Sequence, residues 1–478
     1  MKRKPVMYLG ATSLALLIAG GVGLIVSEHA VSAQAPAGGA APARGAAQGG
    51  ATTPARGATG GGGAPSYRVN PLWPQLLPNH WVLGAVSGVA VDKQDHVWIV
   101  HRGADSLESA EKAMILTPPT SFVCCVPAPS VMEFDSAGRV LANWGGPGLG
   151  FVWPQSTGGI AVDGDGNVWV AAFGLEPAPA GRGRGAAADP DAVGPPAARG
   201  RGDAPAAPAA AQAPARGRGA APAAPAAADA HITKYSPAGQ QILRIGTPGQ
   251  PGTPDSQTGL NRPAGMTIDD AAHEVYVADS GNHRIAVFDS NTGAFKRSWG
   301  GSGDRPTAAG AGPYDPNGAP ARQFRDVTCV KISKDGMVYV CDRSSNRIQV
   351  FQKNGQFIKE MVIAKNTKGA VTTIGQAPGV VLNASGSVWD IAISNDANQR
   401  LLYVADGSND VVRILRRDSL TEVGHIGDGG RQPGRFLAVA AVAVDSRGNL
   451  YTGEVHHAKR VQKFTPAAAA AAPATGNN

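Results

Sequence analysis

The chain has 478 residues, of which 64 are Gly and 37 are Pro, with 17% charged and 43% apolar. So many turn formers exclude coiled-coil and all-helical architectures, and so much apolar residue excludes a wholly disordered chain. Most of the formal charge of +7 lies in residues 1–65 and 175–230, so the folding part is nearly neutral and gives no reason to expect a nucleic-acid partner.

The N-terminus reads as an export signal. Lys2, Arg3 and Lys4 precede an apolar run from Met7 to Val26 and a small-residue site at Val31-Ser32-Ala33, which predicts cleavage after Ala33 and a periplasmic or extracellular protein. Membrane attachment follows only if that run is retained as an anchor. Residues 34–66 form an Ala/Gly/Pro linker, 175–230 an Arg-Gly and Ala-Ala-Pro insert, and 465–478 a tail of similar composition. None carries an apolar period, and all three are expected to stay disordered.

The remainder, residues 67–464, repeats. A short strand ending in Asp or Ser, a tight turn, and a strand of the form aliphatic-aromatic-aliphatic recur six times, from Gly88-Val89-Ala90-Val91-Asp92 with Val97-Trp98-Ile99-Val100 to Val442-Ala443-Val444-Asp445 with Leu450-Tyr451-Thr452-Gly453. A third strand follows, as in Arg284-Ile285-Ala286-Val287-Phe288, and a fourth closes most units with Trp or Ile before Gly, as in Ser298-Trp299-Gly300. Six such units predict an all-β, six-bladed β-propeller. The last unit lacks a fourth strand, so an N-terminal strand is expected to join it and close the ring; His80-Trp81-Val82-Leu83-Gly84 is the segment expected to pair with Arg460 to Phe464.

Four cysteines in an exported chain favour disulfides. Cys329 and Cys341 fall opposite each other on adjacent strands, and Cys124 and Cys125 are adjacent in a Pro-rich loop, where a vicinal bridge would stiffen the chain.

Val275-Tyr276-Val277-Ala278-Asp279, Asn282 and Arg284 to Phe288 resemble NHL-repeat propellers, and the likeness runs over about 81–464. Within that superfamily, Val100-His101-Arg102-Gly103 is similar to the segment that carries the catalytic Arg of peptidylglycine alpha-amidating lyase domains, which implies a catalytic role for Arg102 with His101 beside it. The chain is also similar to exported bacterial propellers that share its His-Arg, Cys-Cys and Asp-Gly-Gly-Arg-Gln segments. The lyase family binds zinc through three His, each five residues before the end of an inner strand. Gly158, Thr328 and Ala440 occupy those positions here and cannot supply that ligand set. The family's catalytic Tyr is missing too, since the loop after Asp279 reads Ser280-Gly281-Asn282-His283.

Ring closure places the loops of the first and last units side by side, so His101, Arg102, Glu454, His456 and His457 become candidates for one binding site, with His101, His456 and Glu454 as an alternative metal set for zinc. The acidic strand ends Asp279, Asp342, Asp406 and Glu454 offer either caps for backbone amides before the third strand, the favoured reading, or oxygen ligands for calcium. The function expected is a monomeric module that binds a peptide, small molecule or protein, without a required cofactor. The alternative is a divergent amidating-type lyase or a hydrolase using Arg102.

Overall fold

The computed structural model describes residues 64–147, 152–174, 229–367 and 386–467. The signal, most of the linker, the insert from 175 to 228 and the tail beyond Ala467 lie outside those residues. Six four-stranded antiparallel sheets make up the fold. Blade 1 comprises Val86–Val91, Val97–His101, Val131–Phe134 and Val140–Trp144, and blade 2 comprises Thr157–Val162, Val168–Ala172, His231–Tyr235 and Gln241–Gly246. Blade 3 comprises Pro263–Asp269, Glu274–Asp279, Arg284–Asp289 and Phe295–Trp299; blade 4, Val327–Ile332, Val338–Asp342, Arg347–Phe351 and Phe357–Val362. Blade 5 comprises Asp390–Ile393, Leu401–Asp406, Val411–Arg416 and Glu422–Ile426, and blade 6 comprises Val439–Val444, Leu450–Glu454 and Val461–Pro466, completed by Tyr67–Asn70. The first strands of successive blades touch in order around the ring, the sixth returning to the first. No helix among the described residues is long and apolar enough to cross a membrane.

The second and third strands are buried on both faces because each sheet packs against two others. Blades 3 and 4, for example, share Tyr276, Ile285, Trp299, Phe324, Val340 and Phe351. Hence the continuous apolar runs, where a solvent-facing sheet would alternate. The Asp that ends a first strand builds its turn: Asp163 accepts from the amides of Asp165 and Asn167 at 3.1 and 2.9 Å. The Trp before Gly in one blade lies over a turn glycine of the next. At Gly355, with φ of +91°, an added Cβ would stand 2.9 Å from Trp299. Gly355→Ala is therefore expected to cost about 1–3 kcal/mol in denaturant unfolding, through both left-handed strain and the clash.

The ring closes through an N-terminal strand, but a different one from that expected. Tyr67 pairs with Pro466 and Asn70 with Lys463, while Trp81–Val82 forms a short parallel pair with Val126–Pro127 in the blade-1 loop. Tyr67-Arg68-Val69-Asn70 has the alternation an edge strand needs: Tyr67 and Val69 pack on the blade 5/6 core, and the Tyr67 hydroxyl meets that of Tyr403 at 2.7 Å. Both expected cysteine pairs are bonded, Cys124 to Cys125 and Cys329 to Cys341, the latter with Cα atoms 5.0 Å apart.

Candidate functional site

All second strands end on one face of the ring, and the group found there latches the loop that leads into the same blade. Asp279 accepts from the amide of Asn261 at 2.7 Å, Asp342 from those of Arg325 and Asp326 at 3.0 Å, and Glu454 from that of Leu437 at 2.8 Å. The expected amide caps thus go mostly to the loop before the first strand, and an arginine at the start of the third strand pairs with each of these carboxylates. Arg284 Nε lies 2.8 Å from Asp279, Arg347 Nε 2.9 Å from Asp342, and Arg460 Nε 2.7 Å from Glu454. Asp406 follows the expected pattern, accepting from the Asn409 amide at 3.2 Å. In blade 2 Asp229 takes the latching role toward Ser156, 3.0 Å away.

In blade 1 that role falls to His101, which is fully buried. Its Nδ1 accepts from the amides of Gly84 and Gly103 at 3.2 and 3.0 Å, and its Nε2–H donates to the Pro129 carbonyl at 2.9 Å. Burial pushes its pKa down to about 4, so the ring is neutral, with both nitrogens committed to backbone. Proton transfer to a substrate would require breaking these bonds, and the sequence expectation of a catalytic His101 finds no support in this geometry.

Arg102 is placed quite differently. It follows the second strand of blade 1 and turns toward the axis, where its Nε approaches the Thr157 carbonyl at 3.4 Å. Burial, and next the charge of Arg343, lower its proton affinity. Arg343 belongs to blade 4, opposite blade 1 in the ring, and follows its second strand as Arg102 does, so both stand on the same face, at the axial mouth. Arg343 is paired with Asp326, Nη2 to Oδ2 at 2.6 Å, and stacks over Trp389 at 4.9 Å. Arg262 stacks over Phe173 at 4.8 Å and helps to hold the Asp326 pKa down. His456 comes from blade 6. Its pKa is lowered to about 4, first by burial and then by Arg102, His457 and Arg343, and its buried Nε2 has no partner among the described residues.

Of the five residues expected to converge, Arg102 and His456 both follow second strands at the mouth, and the charge of Arg102 helps to lower the His456 pKa. Glu454 is buried beneath it and spent on Arg460, Gln462 and the Leu437 amide. His457 points outward, about half exposed, with Nδ1 3.6 Å from Glu108. The alternative metal set of His101, His456 and Glu454 is not assembled, because two of its members are consumed by other bonds. The blade 1 and blade 6 loops do touch, through the Lys459–Glu111 ion pair.

The three-His zinc centre does not fit this chain. Gly158, Thr328 and Ala440 lie in the irregular openings of the first strands of blades 2, 4 and 6. A Cβ at Gly158 would stand 2.5 Å from the Ala264 carbonyl oxygen, and the Thr328 hydroxyl donates to the Val388 carbonyl at 3.2 Å. At Gly158 backbone packing has taken the space that a ligand side chain would need.

Sequence reasoning missed Arg262, Arg343, Asp326, Phe173 and Trp389. The signal was register: the residue following each second strand reads Arg102, Phe173, Ser280, Arg343, Gly407 and Val455 around the ring.

The NHL repeat family model matches residues 260–288, most of the first three strands of blade 3. No curated protein sequence matches the chain. Among solved structures, a streptogramin B lyase is 11% identical with a TM-score of 0.43, covering 84% of this chain and 97% of its own. A catalytically inactive variant of virginiamycin B lyase from Staphylococcus aureus, solved with quinupristin, is 13% identical with a TM-score of 0.39, covering 84% of this chain and 89% of its own. With six four-stranded sheets and the ring closed by its sixth blade, the chain is a six-bladed β-propeller, and its third blade carries the match to the NHL repeat.

Proposed function

We propose that this chain is an exported binding module that holds an anionic group of a peptide, small molecule or protein at the axial mouth, with Arg102 as its principal contact. One observation carries the reading. Arg284, Arg343, Arg347, Arg413 and Arg460 each pair with a carboxylate, whereas the terminal amino groups of Arg102 meet no acceptor among the described residues. A recessed guanidinium without a counter-charge is costly, and an anionic ligand offsets that cost. The N-terminal signal and the two disulfides support export. Calorimetric titration at low ionic strength with phosphate, oxalate and citrate is expected to find at least one binder, whose Kd rises about tenfold or more in Arg102→Gln, or about 1.4 kcal/mol. Absence of binding by all three, or equal binding by the variant, would count against the module.

An enzymatic reading rests on His456. A neutral imidazole with an unpartnered Nε2 beside Arg102 is equipped to accept a proton. Under that reading the chain is a divergent lyase or a hydrolase, with His456 and not His101 moving the proton. Glyoxylate release from a hydroxyglycine peptide, abolished in His456→Ala, would establish the lyase form.

A further inference from the structure

On the face opposite the mouth, blade 1 departs from its sister blades in charge. Its first turn and third strand bring Asp92, His96 and Glu133 together, with one oxygen or nitrogen of each lying within 4.8 Å of the others. His96 Nδ1 stands 2.8 Å from Glu133 Oε1 and 3.6 Å from Asp92 Oδ2. The carboxylates are recessed, with side chains 8% and 14% exposed, and the imidazole, 33% exposed, forms the open side.

The position of Glu133 holds Val287, Val350 and Ile414 in blades 3, 4 and 5 and a lysine in blades 2 and 6. Glu133 pairs in register with Trp98, as Lys234 does with Trp169 in blade 2 and Lys463 with Tyr451 in blade 6. Lys234 places its ammonium 2.9 Å from Asp163 and 5.3 Å from the centre of the Trp169 ring. Lys463 lies 5.4 Å over Tyr451 and donates to the Ser136 carbonyl at 2.7 Å; burial lowers its pKa, against the pull of Asp445. Blade 2 therefore sets a fixed cation between the Asp that ends the first strand and the aromatic ring of the second. In blade 1 the lysine is replaced by a carboxylate, and among the described residues no Lys or Arg pairs with Asp92 or Glu133.

We infer that a divalent metal ion, ligated by Asp92, His96 and Glu133, takes in blade 1 the place that the Lys234 ammonium holds in blade 2. One imidazole nitrogen and two carboxylate oxygens suit zinc and its first-row neighbours better than calcium, which takes oxygen ligands. Bonds of about 2.0–2.2 Å at tetrahedral angles put neighbouring ligand atoms roughly 3.3–3.6 Å apart, so small side-chain movements from the observed separations suffice. The ligands are also held in place. Asp92 Oδ1 accepts from the amides of Gln94 and His96, both at 2.9 Å, and Oδ2 from Trp98 Nε1 at 3.0 Å. The turn is tied to blade 6 by the Ser446 amide on Asp95 at 2.8 Å, and to blade 2 by Lys93 on the Gly164 carbonyl at 3.2 Å. Three protein ligands leave a coordination position open to water.

The test uses the whole folded chain, stripped with a chelator and titrated with zinc. The wild type is expected to bind one equivalent in the micromolar range or tighter, with a single imidazole in its X-ray absorption spectrum. Glu133→Lys restores the blade 2 pattern; it is expected to keep the melting temperature of the stripped protein while weakening zinc at least ~100-fold, as is His96→Ala. No stoichiometric zinc in the wild type overturns the inference. So does zinc retained by both variants, which would move the metal elsewhere, for instance to His456 on the opposite face.

Discussion

Removing residues 1–70 is expected to lower the unfolding free energy by roughly 5 kcal/mol or more, because it takes away the outer strand of blade 6. Tyr67 and Val69 are half-buried against the blade 5/6 core, and full burial of such side chains is worth about 1.5–3 kcal/mol each. The four register pairs with Val461–Pro466 vanish with them, each ladder bond contributing about 1 kcal/mol net. The new edge Val461–Pro466 becomes a template for pairing between chains, so aggregation at micromolar concentration is a second expected readout. Val69→Asp tests the same closure without truncation: it puts a charge into the core cluster and should cost about 2–4 kcal/mol, whereas the exposed Arg68→Ala should cost under about 0.5 kcal/mol. Equal stability of truncated and full-length chains by urea titration would show that blade 6 does not need the strand.

That closing strand also shows where sequence reading loses power. The repeats are legible because burial on both faces writes a continuous apolar run into every second strand, and because a turn-building Asp or Ser recurs at the end of most first strands. An edge strand such as Tyr67–Asn70 buries half as much and carries half the pattern. Trp81-Val82-Leu83 is the stronger candidate on apolar content, yet the blade-1 loop claims it through Val126–Pro127. The site is legible where chemistry is marked by residue type: Arg102 and His456 stand out as chemically capable residues near a seam. His101 and Glu454 have the same capability, but backbone amides and an arginine absorb it, and nothing in residue type announces that. Arg343 is hidden for a further reason. It lies 241 positions from Arg102, and only the ring brings opposite blades to a common axis.

The same logic predicts that Arg284→Met will be among the most damaging single substitutions in the chain. Arg284 is fully buried and donates to Asp279 and to the carbonyls of Pro254, Ser256 and Gly259 at 2.7–3.0 Å. Without it, the Asp279 carboxylate keeps the Asn282 amide group and the Asn261 amide but loses its counter-charge, in a place where burial already raises its pKa. Breaking one partner of a buried pair typically costs about 3–5 kcal/mol. The pH dependence fixes the cause. In the variant the folded-state pKa of Asp279 rises further above its unfolded value, so the penalty is full at neutral pH and shrinks as acid protonates the carboxyl. Asp279→Asn with Arg284→Met removes the orphaned charge while keeping an acceptor for Asn261, and should recover at least half of the loss at pH 7. If the single variant were as destabilised at pH 4.5 as at pH 7, and the double variant no better, lost packing and the three unsatisfied carbonyls would be the larger cause, not the unpaired charge.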